Sequence, residues 1–127
     1  MPRVLLIEDT DANHDLIARY LNLFDYEVAV AADGQTGLSM ARNQCAEIDA
    51  ILLDTNLPDM DGWEVARRLK AEESTCSLPV IAVTARAMVG DREKGLTAGC
   101  DEYVTKPVDF ANLMHKIETL LCREISL

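Results

Sequence analysis

The sequence lacks long apolar runs and a surplus of basic residues, and each absence excludes a class of protein. No apolar stretch approaches the roughly 18–20 residues of a membrane-spanning helix. Acidic residues outnumber basic ones by 22 to 12, and the resulting charge of −10 argues against direct binding of nucleic acid, whose phosphates attract basic surfaces. The first residues lead directly into an apolar run, so we expect no signal peptide and a cytoplasmic location.

Closely spaced cysteines are also absent. The four cysteines are Cys45, Cys76, Cys100 and Cys122. They form no C-x-x-C pair, and neither histidine lies near any of them in the sequence, so neither a zinc site nor a disulfide framework is indicated. We expect reduced, partly buried thiols.

Aromatic residues make up only 5% of the chain, whereas 49% of its residues are hydrophobic. This composition predicts an aliphatic, close-packed interior rather than disorder. A length of 127 residues suits one domain, over 1–127. The sequence contains no repeat, low-complexity segment or linker that would divide it.

Short apolar runs alternate with longer segments of helical period, which predicts five β-α units. The predicted strands are Arg3–Ile7, Glu27–Ala31, Ala50–Leu53, Pro79–Val83 and Glu102–Val104. The predicted helices are Ala12–Phe24, Gly34–Asn43, Gly62–Glu73, Ala85–Ala98 and a last one from Asp109 to about Arg123. This alternation implies a doubly wound α/β fold with a five-stranded parallel sheet in the order 2-1-3-4-5 and helices on both faces.

Local signals refine these helices. Asp33 and Asp109 are predicted N-caps, and Asp61 with Glu64 has the spacing of a capping box. Gly99 is placed to end the helix before it. The predicted apolar stripe of the first helix consists of Leu16, Ile17, Tyr20, Leu21 and Phe24.

Several charged residues are expected to have no role beyond local structure. Asp59 is interpreted as a turn residue. Arg67, Arg68 and Lys70 are interpreted as an ordinary solvated helix face.

Polar groups stand at the downstream ends of four apolar runs. They are Glu8, Asp9, Asp54, Thr84 and Lys106. In a parallel sheet these ends share one edge, and ligands bind there where the strand order reverses. The sequence therefore predicts one acidic pocket, with strands 1 and 3 as neighbours.

The residue types in this pocket suit phosphoryl transfer. Clustered carboxylates repel one another and favour a divalent cation such as Mg²⁺, which prefers oxygen ligands. Lys106 and Thr84 offer a cation and a hydroxyl for phosphoryl oxygens, while Ala85 and Gly62 keep the nearby walls small. A carboxylate can act as the nucleophile, and Asp54, alone at its strand end, is the best candidate.

These motifs together resemble the receiver domain of two-component response regulators, the CheY-like superfamily with a flavodoxin-like fold. The matching segments are Glu8–Asp9, Asp54-Thr-Asn-Leu-Pro-Asp-Met-Asp-Gly62, Thr84–Ala85 and Lys106–Pro107. Each is weak alone, but all four in this order are specific, and the resemblance covers about 3–123. Thr55 departs from the family pattern, which more often has an aliphatic residue there.

The resemblance implies a role for each matching position. Asp54 would accept a phosphoryl group from a phosphohistidine. Mg²⁺, or Mn²⁺, would be held by Glu8, Asp9, Asp54 and the backbone carbonyl of Asn56. Thr84, Ala85 and Lys106 would bind the phosphoryl group, and Lys106–Pro107 would be a cis peptide. Thr84 and Tyr103 would form the switch, and Asn56 and Arg86 would tune self-dephosphorylation.

The same resemblance implies partners and an output surface. The expected partners are a histidine kinase or histidine phosphotransfer protein and a downstream protein target, with no membrane. The switch would alter the face formed by the helix over Ala85–Ala98, the fifth strand and the last helix. The protein would be a monomer, which could dimerise through this face when phosphorylated. It would assist its own phosphorylation and dephosphorylation without being a conventional turnover enzyme.

Three alternatives remain open beside a free-standing receiver. The first is a receiver cut from a hybrid histidine kinase or a multidomain regulator. The second is a magnesium-dependent phosphohydrolase that uses Asp54 covalently, although Asn56 stands where such enzymes have a second aspartate. The third is a flavin-binding domain of similar topology, which the acidic edge disfavours because it would repel the flavin phosphate.

Overall fold

The computed structural model describes residues 2–9, 11–55, 57–84, 99–105 and 108–125, without the side chains of 11–14 and 122–125. Several predictions lie outside these described residues. They are the helix over Ala85–Ala98, the roles of Asn56, Ala85, Arg86 and Lys106, and the cis peptide at Pro107.

The strands form one parallel five-stranded sheet in the order β2-β1-β3-β4-β5, as predicted. They are β1 (Arg3–Ile7), β2 (Glu27–Ala31), β3 (Ala50–Asp54), β4 (Val80–Thr84) and β5 (Glu102–Thr105). The described helices are α1 (Asp11–Leu23), α2 (Gly34–Asn43), α3 (Gly62–Ala71) and α4 (Phe110–Ile125). The doubly wound α/β fold is thus confirmed. The first and last residues of each strand differ from the predicted ones by one position at most.

Two apolar clusters cover the two faces of the sheet. Side chains alternate along each strand, so β1 sends Leu5 and Ile7 to one face and Val4 and Leu6 to the other. The first face packs against α2 and α3, and the second against α1 and α4. Every residue of β3 and β4 is buried, which explains their purely apolar sequences before the terminal polar residue.

The predicted apolar stripe of α1 is only partly buried. Ile17 and Leu21, one turn apart, pack into the core, but Leu16 is 57% exposed and Phe24 49% exposed. Tyr20 links the helix to α4, with ring centroids 4.8 Å from Phe110 and 5.1 Å from Phe24. The stripe was too wide because a helix lying on a sheet buries a narrower band than its apolar residues span.

Two N-cap predictions are confirmed and the capping box is wrong. Asp33 accepts the Thr36 N–H at 2.7 Å, and Asp109 accepts the Asn112 N–H at 3.2 Å. Asp61 does cap α3, but through the Trp63 N–H at 3.0 Å.

The other half of the expected box is engaged elsewhere. The Glu64 carboxylate pairs with Arg67 at 2.8 Å and Arg68 at 3.0 Å. These arginines stand three and four residues further along the helix, where helical geometry brings side chains together. They hold the pKa of Glu64 below its ordinary value through their hydrogen bonds.

The interpretation of Lys70 as part of a solvated helix face is wrong. Its ammonium donates to the Leu78 carbonyl at 2.7 Å and to the Asp101 carboxylate at 3.0 Å, and Asp101 also accepts the Val80 N–H at 2.8 Å. Gly99 has φ +101°, and a Cβ there would lie 2.6 Å from Cγ of Lys70. Lys70 therefore joins the end of α3 to the starts of β4 and β5.

The described cysteines are reduced, as expected, but Cys76 is exposed rather than partly buried. Cys45, Cys76 and Cys100 are free thiols, of which Cys100 is buried. None of the described helices has the length and apolar content needed to cross a bilayer.

Candidate functional site

The sheet register brings three carboxylates together. Ile7 of β1 is paired with Leu53 of β3, so the residues that follow, Glu8 and Asp54, end adjacent strands. The carboxylate oxygens of Glu8, Asp9 and Asp54 lie within 4.8 Å of one another. The predicted convergence of these residues from distant parts of the sequence is therefore observed.

The three carboxylates differ in their exposure. Glu8 and Asp54 are 1% and 2% exposed, whereas Asp9 is open to solvent. The backbone of Glu8 is fixed by its N–H, which donates to the Ala31 carbonyl at 3.0 Å. Three negative groups so close repel one another unless a cation or protons offset their charge.

A divalent cation fits this donor set. Oxygen ligands are the ones that Mg²⁺ binds, and it usually keeps several waters beside one or two carboxylates. One exposed and two buried carboxylates provide such ligands and leave a solvent-facing side on which a further oxygen ligand can enter.

Thr84 lies beyond the carboxylates at the same edge of the sheet. It ends β4, the strand next to β3, and it is fully buried. Its backbone is paired with Thr105 of β5, the residue immediately before Lys106. The ends of β1, β3, β4 and β5 therefore lie side by side along the carboxyl edge of the sheet.

Tyr103 shares a face of the sheet with Thr84. It is paired with Ala82, and residues two apart on a strand point to the same side. Its side chain is half-buried. The structure thus places the two predicted switch residues on adjacent strands and on one face.

The loop after Asp54 folds back tightly on itself. The Gly62 N–H donates to the Thr55 carbonyl at 3.1 Å, and the Thr55 N–H donates to the Val83 carbonyl at 3.2 Å. Glycine at 62 permits this approach, because a Cβ there would lie 2.8 Å from the Asp54 carbonyl oxygen. Thr55, the departure from the family pattern, is buried beneath the loop.

This loop has a second attachment that was not predicted. Asp59, predicted as a turn residue, accepts the backbone N–H groups of Gly34 at 2.8 Å and Gln35 at 2.9 Å. These two bonds lower the pKa of the Asp59 carboxyl. The partners stand some 25 residues upstream, so no local pattern could have revealed the contact.

Comparison with known proteins agrees with this geometry. A model of the response regulator receiver domain matches residues 4–118. The chain is 37% identical over 123 residues to the DNA-binding dual master transcriptional regulator RpaA of Synechocystis, and 40% identical over 118 residues to the response regulator PleD of Caulobacter vibrioides. The match to RpaA spans 97% of this chain and 50% of RpaA. The match to PleD spans 93% of this chain and 26% of PleD.

Solved structures give the same result. The receiver domain of the sensor histidine kinase PA1611 from Pseudomonas aeruginosa is 37% identical and superimposes with a TM-score of 0.86, covering 94% of this chain and 97% of that one. That structure has a magnesium ion coordinated in its active-site cleft.

The chain belongs to the response regulator receiver family and has its CheY-like, flavodoxin-type fold. Members are signalling modules of two-component systems, in which phosphorylation and Mg²⁺ are general features. They interact in general with histidine kinases and downstream effectors. The chain spans about half the length of RpaA and about a quarter of the length of PleD.

Proposed function

We propose that this receiver accepts a phosphoryl group from a phosphohistidine onto Asp54. The observation that carries the proposal is the cluster of Glu8, Asp9 and Asp54 carboxylates within 4.8 Å at the carboxyl edge of the sheet. Glu8, Asp9 and Asp54, with the backbone carbonyl of Asn56, would hold Mg²⁺ or Mn²⁺. The bound cation supplies charge neutralisation, which lets an anionic phosphoryl group approach the acidic pocket.

Asp54 is the residue that reacts in this proposal. A carboxylate oxygen of Asp54 forms a bond to phosphorus while the phosphorus–nitrogen bond of the donor breaks. The electron pair of that bond stays on the imidazole nitrogen, which takes a proton from water. The product is an acyl phosphate on Asp54, which water hydrolyses later.

The other residues of the edge position the group. Thr84 donates its hydroxyl to a phosphoryl oxygen, and the Ala85 backbone and the Lys106 ammonium bind the remaining oxygens. Because Thr84 and Tyr103 share one face of the sheet, a movement of Thr84 towards the phosphoryl group opens space into which Tyr103 turns. This switch alters the face formed by residues 85–98, β5 and α4, through which a partner binds or a second copy dimerises. Asn56 and Arg86 set the lifetime of the acyl phosphate.

The partners follow from this chemistry. A histidine kinase or a histidine phosphotransfer protein supplies the phosphoryl group, and a protein target binds the switched face or the group is relayed onward. The similarity to the receiver of a sensor kinase supports the alternative that this domain belongs to a hybrid kinase or a multidomain regulator. A separate phosphohydrolase is disfavoured because Asn56 replaces the second aspartate that such enzymes use.

The test is intact mass spectrometry after incubation with acetyl phosphate, with and without Mg²⁺, beside the variant Asp54→Ala. We expect a base-labile gain of one phosphoryl group that needs Mg²⁺ and is lost in the variant. Asp61→Ala, which removes a carboxylate on the same loop, serves as the matched control and should still be phosphorylated. A gain that persists in Asp54→Ala would refute the assignment, and steady release of phosphate from an added phosphomonoester would favour the phosphohydrolase.

A further inference from the structure

The loop that follows Asp54 is attached to the start of α2 through Asp59. Both carboxylate oxygens of Asp59 accept hydrogen bonds from α2, with Oδ1 accepting the Gly34 N–H at 2.8 Å and Oδ2 accepting the Gln35 N–H at 2.9 Å. The Met60 side chain also lies against Gly34. A Cβ placed on Gly34 would be only 2.6 Å from the Met60 Cγ.

The start of α2 makes Asp59 a firm anchor. The first N–H groups of a helix have no partner within it, and the helix dipole favours a negative charge beside them. Asp33 takes the Thr36 N–H at 2.7 Å, and Asp59 takes the two donors that precede it. These bonds keep the pKa of Asp59 below its ordinary value, so the anchor stays charged at neutral pH.

The loop is also closed at its two ends. Gly62 donates to the Thr55 carbonyl at 3.1 Å, which ties the last residue of the loop to the first. The stretch between them includes position 56, whose carbonyl is a proposed ligand of the cation. Among the described residues of this stretch, Asp59 supplies a charged group that binds the start of α2.

We propose that Asp59 is a positioning residue for the cation site: by fastening the acceptor loop to α2 it holds the backbone after Asp54 where it can coordinate the metal. It contacts neither the metal nor the phosphoryl group. The inference deepens the proposed function and rests on it for the metal-binding measurement described next.

The test compares Asp59→Ala with Asp33→Ala. Both variants remove a carboxylate from the N-terminus of α2, and both should lower the midpoint of urea unfolding. Only Asp59 belongs to the acceptor loop, so only Asp59→Ala should weaken Mg²⁺ binding measured by calorimetry, by roughly tenfold, as is typical when an outer partner of a metal ligand is lost. Asp59→Asn, which keeps an acceptor oxygen, should restore part of the affinity. Equal Mg²⁺ dissociation constants for the two alanine variants would overturn the proposal.

A second measurement does not depend on the metal. Amide hydrogen exchange at Gly62, whose N–H closes the loop, should be faster in Asp59→Ala than in Asp33→Ala. Failure of the wild-type protein to bind Mg²⁺ would count against the proposed function alone. In that case the exchange comparison decides whether Asp59 holds the loop, and equal rates at Gly62 would refute that role.

Discussion

Gly62 lies directly against the backbone of Thr55, so that a Cβ at position 62 would clash with the Thr55 Cα. The first residue of α3 therefore contacts Thr55, which directly follows the proposed acceptor Asp54. No side-chain movement could relieve this clash, because the atoms that a Cβ at position 62 would meet belong to the backbone of Asp54 and Thr55.

We therefore expect Gly62→Ala to disturb both stability and the site. Overpacking against backbone should cost about 3 kcal/mol of unfolding free energy and should slow phosphorylation of Asp54, because the loop must shift. The matched control is Gly34→Ala, also the first residue of a helix after an aspartate cap. Its new Cβ meets the flexible Met60 side chain, so its loss of stability should be smaller. Chemical denaturation of the two variants checks this, and equal losses would contradict it.

Mutual repulsion of the acidic cluster predicts an unusual effect of neutralising it. Without a divalent cation, Asp54→Asn should raise the free energy of unfolding by about 1 kcal/mol, because one of three adjacent negative charges is removed. Mg²⁺ should stabilise the wild type in proportion to its binding but should have little effect on the variant. Thermal unfolding with and without Mg²⁺ tests both statements. An Asp54→Asn protein less stable than the metal-free wild type would contradict the repulsion argument.

Lys70 should be worth more to stability than its position on a helix surface indicates. Lys70→Met keeps the aliphatic stem but leaves the Leu78 carbonyl and Asp101 without their shared donor, which should cost about 2 kcal/mol. Arg67→Met is the control on the same helix, and loss of its exposed pair with Glu64 should cost much less than loss of the Lys70 contacts. Urea unfolding at one pH measures both. Similar losses in the two variants would show that the Lys70 contacts contribute little.

The buried thiol of Cys100 predicts a loss of stability at alkaline pH. Burial, aided by the nearby Asp101 charge, raises the pKa of Cys100 from 9.0 to about 11. Between these values the unfolded chain releases the proton while the folded one keeps it, so stability is complete below pH 9 and falls as pH rises towards 11. The contribution should be about 3 kcal/mol. Cys100→Ala removes the thiol, so its stability should fall less steeply over this range; parallel pH profiles would contradict the assignment.

Tyr103 is expected to act after phosphorylation, not during it. Tyr103→Ala should accept the phosphoryl group from acetyl phosphate at the wild-type rate, because its side chain lies two residues before the polar edge. Its loss should reduce the phosphorylation-dependent shifts of backbone amide resonances in α4. Tyr20→Ala, on the other face of the sheet beside α4, serves as a control for general loosening. Unchanged α4 shifts in Tyr103→Ala would refute the coupling.

Two features of the molecule were predictable from its sequence. Strand bounds and order were predictable because continuous apolar runs such as Ile51–Leu53 are typical of strands covered on both faces. The meeting of Glu8 with Asp54 was predictable because parallel strands end at one edge and the order 2-1-3-4-5 makes β1 and β3 neighbours. Both inferences depend on patterns within one element or on topology alone.

The partners of individual surface side chains were not predictable. Asp59 binds α2 and Lys70 binds the starts of β4 and β5, in each case across a gap between elements. The capping box failed because nearby arginines compete for Glu64.

Hydrophobic periodicity and the residues at the strand ends were enough to predict the fold, the edge at which the functional groups meet and the chemistry of those groups. How the loop after Asp54 is held became visible only in the folded molecule. Its contacts, from Asp59 to Gly34 and from Gly62 to Thr55, join elements that are distant in the sequence or fold closely on each other, and no pattern along the chain specifies such positions.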